Sequence, residues 1–211
     1  MAEIDRLSGA SDWIELEFVE KEETPRELMG YGIELHLAGL SLAETTSVLE
    51  NFGIDRCRST VHDWVRKADL QPANGARPDH VAVDETVIQV NDQRYWLLAA
   101  VDPATNRSLH VRLFPTRTTA VTKLFLSDLT EKHDVADAVF LIDSAPWLKA
   151  ALHDFGLRFH HVTHGKRNSI ERVFKEVKRR TERFANHFRN PDPDGVESWL
   201  QAYAVCWNQL I

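Results

Sequence analysis

Cysteine is almost missing from this chain. Cys57 and Cys206 stand far apart and belong to no paired motif, which excludes a disulfide framework and a cysteine-built zinc centre. Long hydrophobic runs are missing as well: no stretch reaches 18 apolar residues, so no spanning helix and no membrane partner are expected. The acidic opening Met1-Ala-Glu-Ile-Asp5 lacks the character of a secretory leader, and the expected location is cytoplasmic. Positive charge is short overall, with 25 Lys and Arg against 32 Asp and Glu, a net charge of -7 and a pI near 5.8.

What is present is enough to build a core. The 211 residues are 43% hydrophobic and include six Trp and ten Phe. That suffices for one domain of about 120–140 residues and a smaller module. The charge is unevenly spread. Between Gly165 and Asn190 there are nine Lys or Arg against three Glu, a local balance of +6, so the remainder carries -13. Residues 1–30 alone hold nine acids and three bases. A basic stripe on an acidic protein is a usable footprint for a polyanion.

Four segments follow from composition and periodicity. Residues 1–24 are acidic, with an apolar patch from Trp13 to Val19 that suits a strand or a docking segment. Over 25–70, Pro25 opens a helix that runs to Leu40. Ser41-Leu-Ala-Glu44 has capping-box spacing and starts a second helix that stops near Gly53. Arg58-Ser-Thr60 starts a third. Two short helices around a glycine-containing turn make a helix-turn-helix candidate. Its recognition helix offers Arg58, Ser59, Thr60, His62, Arg66 and Lys67 to DNA, with Val61, Trp64 and Val65 facing inward.

Residues 71–79 read as a Pro/Gly/Asn linker. Over 80–211 the pattern predicts strands at 80–90, 94–101 and 107–114, joined by turns at Asn91-Asp92 and Pro103–Asn106, which make an antiparallel meander. Helix 117–132, strand 138–142, helix 145–155, strand 157–162 and helix 168–188 follow. The fold class expected is α/β: an RNase H-like mixed sheet of a three-stranded meander plus two parallel strands with flanking helices, preceded by the small all-helical module.

Three carboxylates fall where a metal-dependent phosphoryl-transfer site needs them. Asp84 closes the strand-like run His80-Val-Ala-Val-Asp84, and Asp143 closes the apolar run Ala138-Val-Phe-Leu-Ile-Asp143. Acids at the ends of buried strands meet ligands at the sheet edge. Glu171 lies near the start of the basic helix, one step off the apolar stripe Ile170, Phe174, Val177, Thr181, Phe184 and Phe188, with Lys175 and Lys178 on its own face. Mg²⁺ or Mn²⁺ takes hard oxygen ligands, and two such ions can serve the attacking and leaving oxygens of a phosphodiester. Asp102 also ends a strand, but Pro103 after it points to a turn. His160, His161 and His164 have no second ligand cluster beside them and suit the surface or DNA.

On these residues the chain resembles the DDE transposases of prokaryotic insertion sequences, most closely insertion-sequence family six in its haloarchaeal form. The motifs are Asp84-Glu85-Thr86 after the linker, Asp143 after the fourth strand, and Asn168-Ser-Ile-Glu171 with a basic residue, Lys178, seven positions on. The likeness extends from the helix-turn-helix to Asn208. It implies a catalytic and metal-binding triad of Asp84, Asp143 and Glu171 with two Mg²⁺ (or Mn²⁺) per active site. Glu85 and Asn168 would stand behind the ligands, Glu85 orienting a lysine or a water.

The same likeness implies cleavage at element ends, then attack of the freed 3′-hydroxyl on target DNA. Terminal inverted repeats would be bound by the first module. Lys166, Arg167, Lys175, Lys178 and Arg179 would grip DNA near the cut, and at least a dimer would assemble on DNA, since two ends must be held together. The low lysine share, eight of 25 cations, with abundant acids also resembles proteins of salt-accumulating archaea. One departure is the Asp143–Glu171 interval of 28 positions, short for the family, against 59 between Asp84 and Asp143. A nuclease that cuts without joining, or a DNA-binding descendant without chemistry, would share most of these features.

Overall fold

The computed structural model describes residues 13–18, 24–162, 170–175 and 192–211. The chain divides into two compact units, Met1–Gln71 and Pro72–Ile211. No helix among the described residues is long and apolar enough to cross a membrane.

The first unit holds α1 (Arg26–Ala38), α2 (Leu42–Glu50) and α3 (Arg58–Lys67). The capping box forms as its spacing predicts: Glu44 N–H donates to the Ser41 hydroxyl at 3.2 Å, and Ser41 N–H donates to the Glu44 carboxylate at 2.8 Å. Met29, Ile33 and Leu37 of α1 are fully buried with Leu49, Val61 and Trp64. Gly32 lets the helices close on one another, because a Cβ there would lie 3.2 Å from both Leu49 and the Trp64 ring. In the patch expected as a strand or docking segment, residues 14–18 adopt no regular secondary structure, and Ile14 and Leu16 are buried.

The second unit contains β1 (His80–Val90), β2 (Gln93–Val101), β3 (Ser108–Phe114), α4 (Thr119–Lys132), β4 (Val139–Ile142), α5 (Pro146–Asp154), β5 (Arg158–His161) and α6 (Pro193–Leu210). Residues 170–175 are also helical, and the rest of the helix expected over 168–188 lies outside the described residues. The five strands form one sheet in the order β3-β2-β1-β4-β5. The pairs β1/β2 and β2/β3 are antiparallel; β1/β4 and β4/β5 are parallel. This is the mixed RNase H-like sheet that the order of elements implied. Asn91 and Asp92, with φ of 48° and 63°, supply the left-handed pair that a two-residue hairpin between twisted strands requires.

One sheet face carries the core. Val81 and Val83 of β1, Leu98 and Ala100 of β2, and Phe140 and Ile142 of β4 pack with Phe125, Leu126 and Leu129 of α4 and Leu148, Ala151 and Leu152 of α5. The expected linker is tied to this unit: Gly75 N–H donates to the Lys132 carbonyl at 2.8 Å, and Asp134 N–H to the Ala76 carbonyl at 3.0 Å. The β3 edge is sealed by α6. Asn208 accepts from Ser108 N–H at 2.7 Å and donates to its carbonyl at 2.8 Å, while Glu197 accepts from Leu113 N–H at 2.7 Å. These side chains take the place of a neighbouring strand.

Candidate active site

Asp84 is not at the end of its strand, because β1 continues for six residues beyond it to Val90. Its neighbour ends instead. The β1/β4 register Val81↔Phe140 and Ala82↔Leu141, continued by two residues, sets Asp84 beside Asp143, just past the end of β4 at Ile142. Parallel neighbours at equal register share a face and lie about 5 Å apart. Asp84 Oδ1 accepts from Glu85 N–H at 2.9 Å, and Asp143 Oδ1 accepts from Ala145 N–H at 2.8 Å, which turns the chain into α5.

Alternation along β1 sends Glu85 to the opposite face from Asp84, in line with Val81 and Val83. Its side chain is 8% exposed. Burial, then the charges of Asp84 and Asp143, push its carboxyl up to about 7, against the pull of Arg117. Arg117 Nη1 lies 3.3 Å from Glu85 Oε1, and its guanidinium carbon lies 4.0 Å from the Trp96 ring centre and 4.1 Å from that of Trp147. No sequence spacing links 85, 96, 117 and 147, so Arg117 and both tryptophans escaped the sequence reading. Only the density of tryptophan hinted at them.

The other expected residues are placed as follows. Glu171, Arg172 and Lys175 are exposed on the helical stretch 170–175, while Ile170, Val173 and Phe174 are buried. Among the described residues no three of His, Cys, Asp and Glu are grouped to hold a metal ion. Lys166, Arg167, Asn168, Lys178, Arg179 and His164 lie outside the described residues. On α3, Arg58, Ser59, His62, Arg66 and Lys67 are exposed, Thr60 is half-buried, and Val61, Trp64 and Val65 face the core. Lys67 Nζ sits 5.8 Å from the Phe18 ring centre. Asp102 makes a turn: its two carboxylate oxygens accept from Ala104 N–H at 2.9 Å and the Thr105 hydroxyl at 2.7 Å. His160 and His161 are exposed on β5.

The donor set fits a hard divalent cation in kind, if not yet in number. The two aspartates fall at neighbouring register positions, and burial followed by their charges raises the Glu85 carboxyl. Such a cluster favours a cation bound through oxygen.

A mixed sheet of this order, with two aspartates where β4 stops, is an RNase H-like domain. Residues 79–204, more than half of the chain, match the DDE domain family DDE_Tnp_IS240, and the chain belongs to that family of insertion-sequence DDE transposase domains. An uncharacterized protein of Methanocaldococcus jannaschii is 30% identical over 177 residues, 82% of either chain. An uncharacterized protein of Aquifex aeolicus is 38% identical over 50 residues, 24% of this chain and 41% of that protein. Among solved structures, the catalytic core of BIV integrase overlays with a TM-score of 0.47 at 14% identity, covering 61% of this chain and 82% of that one. The HTLV-2 integrase core in complex with magnesium gives 0.45 at 14% identity, covering 60% and 85%.

Proposed function

We propose that this protein is a DNA transposase of insertion-sequence family six, haloarchaeal type. It binds the terminal inverted repeats of its element and catalyses metal-dependent strand cleavage followed by strand transfer. The observation that carries the reading is the β1/β4 register, which aligns Asp84 with Asp143 where β4 stops and the sheet opens. Two Mg²⁺ or Mn²⁺ per site would supply charge neutralisation and activation of the attacking oxygen, held by Asp84, Asp143 and Glu171.

In the first step water attacks the phosphorus at the element end, and the 3′-oxygen leaves and takes a proton. In the second, that 3′-hydroxyl attacks a phosphodiester of target DNA and displaces the target's own 3′-oxygen. The chain's contribution is placement. β1 and the β4–α5 turn hold the two aspartates in register, Glu85 and Asn168 would support the ligands from behind, and the basic residues Lys166, Arg167, Lys175, Lys178 and Arg179 would hold the strand. Arg58, Ser59, Thr60, His62, Arg66 and Lys67 contact the repeats, and at least two copies assemble on DNA to bring two ends together.

The deciding experiment incubates the purified protein with labelled DNA carrying its element's ends, in high KCl with Mg²⁺ or Mn²⁺, beside Asp84→Ala. Joined products that vanish in the variant support the transposase. Cutting without joining points to a nuclease. The second reading is a DNA-binding descendant without chemistry. Repeat binding with no cutting in either metal would establish it. An Arg66, Lys67 double alanine variant that still binds the repeats at full strength would remove α3 from recognition.

A further inference from the structure

We propose that Arg117 is a phosphate-binding residue of this site, presenting the rim of its guanidinium to one phosphodiester of the DNA strand being cut. The inference rests on the transposase reading and adds a contact that the carboxylate motif does not contain.

Three segments bring the group together where β4 ends. Arg117 lies between β3 and α4, Trp96 lies on β2 two residues from the partner of Glu85, and Trp147 lies in the first turn of α5, four residues past Asp143. The guanidinium carbon is about equally close to both ring centres, at 4.0 and 4.1 Å. Both distances are well inside cation–π range, so two indoles from different segments hold the group. Its N–H rim remains for a ligand.

That rim is barely used. Among the described residues its acceptor is Glu85 alone, through Nη1 at 3.3 Å, which is long for a charge-assisted contact. A guanidinium carries five N–H donors, and 35% of the Arg117 side chain reaches solvent. Balancing a carboxylate needs a positive charge and no fixed plane. Two indoles in contact with the guanidinium restrict how its fork can turn, which matters for an acceptor with directional oxygens such as a phosphodiester. Asp84 precedes Glu85 in β1 and leaves the other face of the strand, so an oxygen bound at this rim belongs to a phosphate beside the one that reacts.

The test uses the full-length protein and a duplex carrying the element's ends, with single uncharged methylphosphonates placed one phosphate at a time around the cleavage position. With wild-type protein, one or two positions outside the scissile phosphate should slow cutting about tenfold, on the order of one charge-assisted contact. In Arg117→Ala those same positions should cost nothing further, while the penalties elsewhere stay. In Arg117→Lys the penalty there should shrink several-fold. A position profile unchanged in both variants, at matched unfolding midpoints, overturns the proposal; if Arg117→Ala does not fold, Arg117→Lys decides it by the same profile. If wild-type protein does not cut, the transposase reading is what fails. Arg117 is then judged from binding of the same duplex, where Arg117→Ala or, if that variant does not fold, Arg117→Gln should flatten the plot of log affinity against log KCl by about one. An unchanged slope in the variant used there rejects the contact.

Discussion

Two polar clusters sit on the same sheet, and they are built on opposite principles. At the β3 edge the neighbouring helices supply partners. Arg112 reaches Asp128 of α4 and Glu197 of α6, Asn208 satisfies both backbone groups of Ser108, and His133 is fixed between the Ala76 amide at 3.2 Å and the Leu109 carbonyl at 3.0 Å. Because Nδ1 of His133 accepts from an amide, Nε2 must carry the proton that goes to Leu109. At the end of β4, by contrast, Asp84 and Asp143 lie close enough to Glu85 for their charges to raise its carboxyl, and Glu85 meets Arg117. The first cluster covers backbone groups of that edge. The second brings like charges together, which suits a cation.

The largest effect should come from the acidic cluster. Asp84→Ala or Asp143→Ala should reduce DNA cutting at least ~10²-fold, comparable to losing a key electrostatic group in other active sites, while repeat binding and the fold are kept. The same change relieves repulsion, so ¹³C titration should find the Glu85 carboxyl moved down from about 7 in Asp84→Asn. Equal loss of cutting and of the folded state would mean that these acids hold the sheet together. The cluster at the β3 edge should behave the other way. Asn208→Ala removes two hydrogen bonds from an edge strand and should cost about 1–3 kcal/mol in denaturant unfolding and promote edge-to-edge aggregation. An unchanged midpoint would mean that water replaces the amide.

How far these clusters are legible in the sequence depends on how local their causes are. The strands are legible because Val81, Val83 and the run from Val139 to Ile142 carry their burial pattern in consecutive residues. The pairing of Asp84 with Asp143 is legible because each acid closes such a run. What the sequence hid is that Asp84 lies mid-strand and is opened by the shortness of β4, a property of its neighbour. Arg117 against two indoles depends on three segments at once. Glu171 lies on the exposed face that its helical phase predicts.

Acidity should separate the clusters with opposite signs. Glu85 is raised from 4.5 to about 7 by burial and its acidic neighbours, so folding takes up a proton there; its contribution is full below pH 4.5 and lost as pH rises through 7. His110 is lowered from 6.5 to about 3 by burial and then by Lys132, Arg112 and His133; its contribution is full above pH 6.5 and lost as pH falls toward 3. Between pH 4.5 and 6.5 the two slopes oppose, each at most about 1.4 kcal/mol per pH unit. In metal-free buffer, wild-type stability should therefore be nearly flat there. Glu85→Gln should make it rise with pH, and His110→Phe should make it fall. Three superimposable curves would refute both assignments.

Salt should give the smallest effect, and its sign is decided by which charges are exposed. The ion pairs Arg77–Asp134 and Lys123–Asp154 are largely solvated, and exposed pairs contribute about 0–1 kcal/mol that KCl weakens. Against them stands an excess of seven acids over bases, whose mutual repulsion is screened as the Debye length falls from about 10 Å at 0.1 M to about 3 Å at 1 M. Repulsion summed over the whole surface outweighs a few weak pairs, so the unfolding midpoint should rise from low to molar KCl. Removing surplus charge at Asp84 should shrink that rise, whereas Asn208→Ala should leave it intact. A flat response in the wild type would sink the proposal that this acidic surface is adapted to salt.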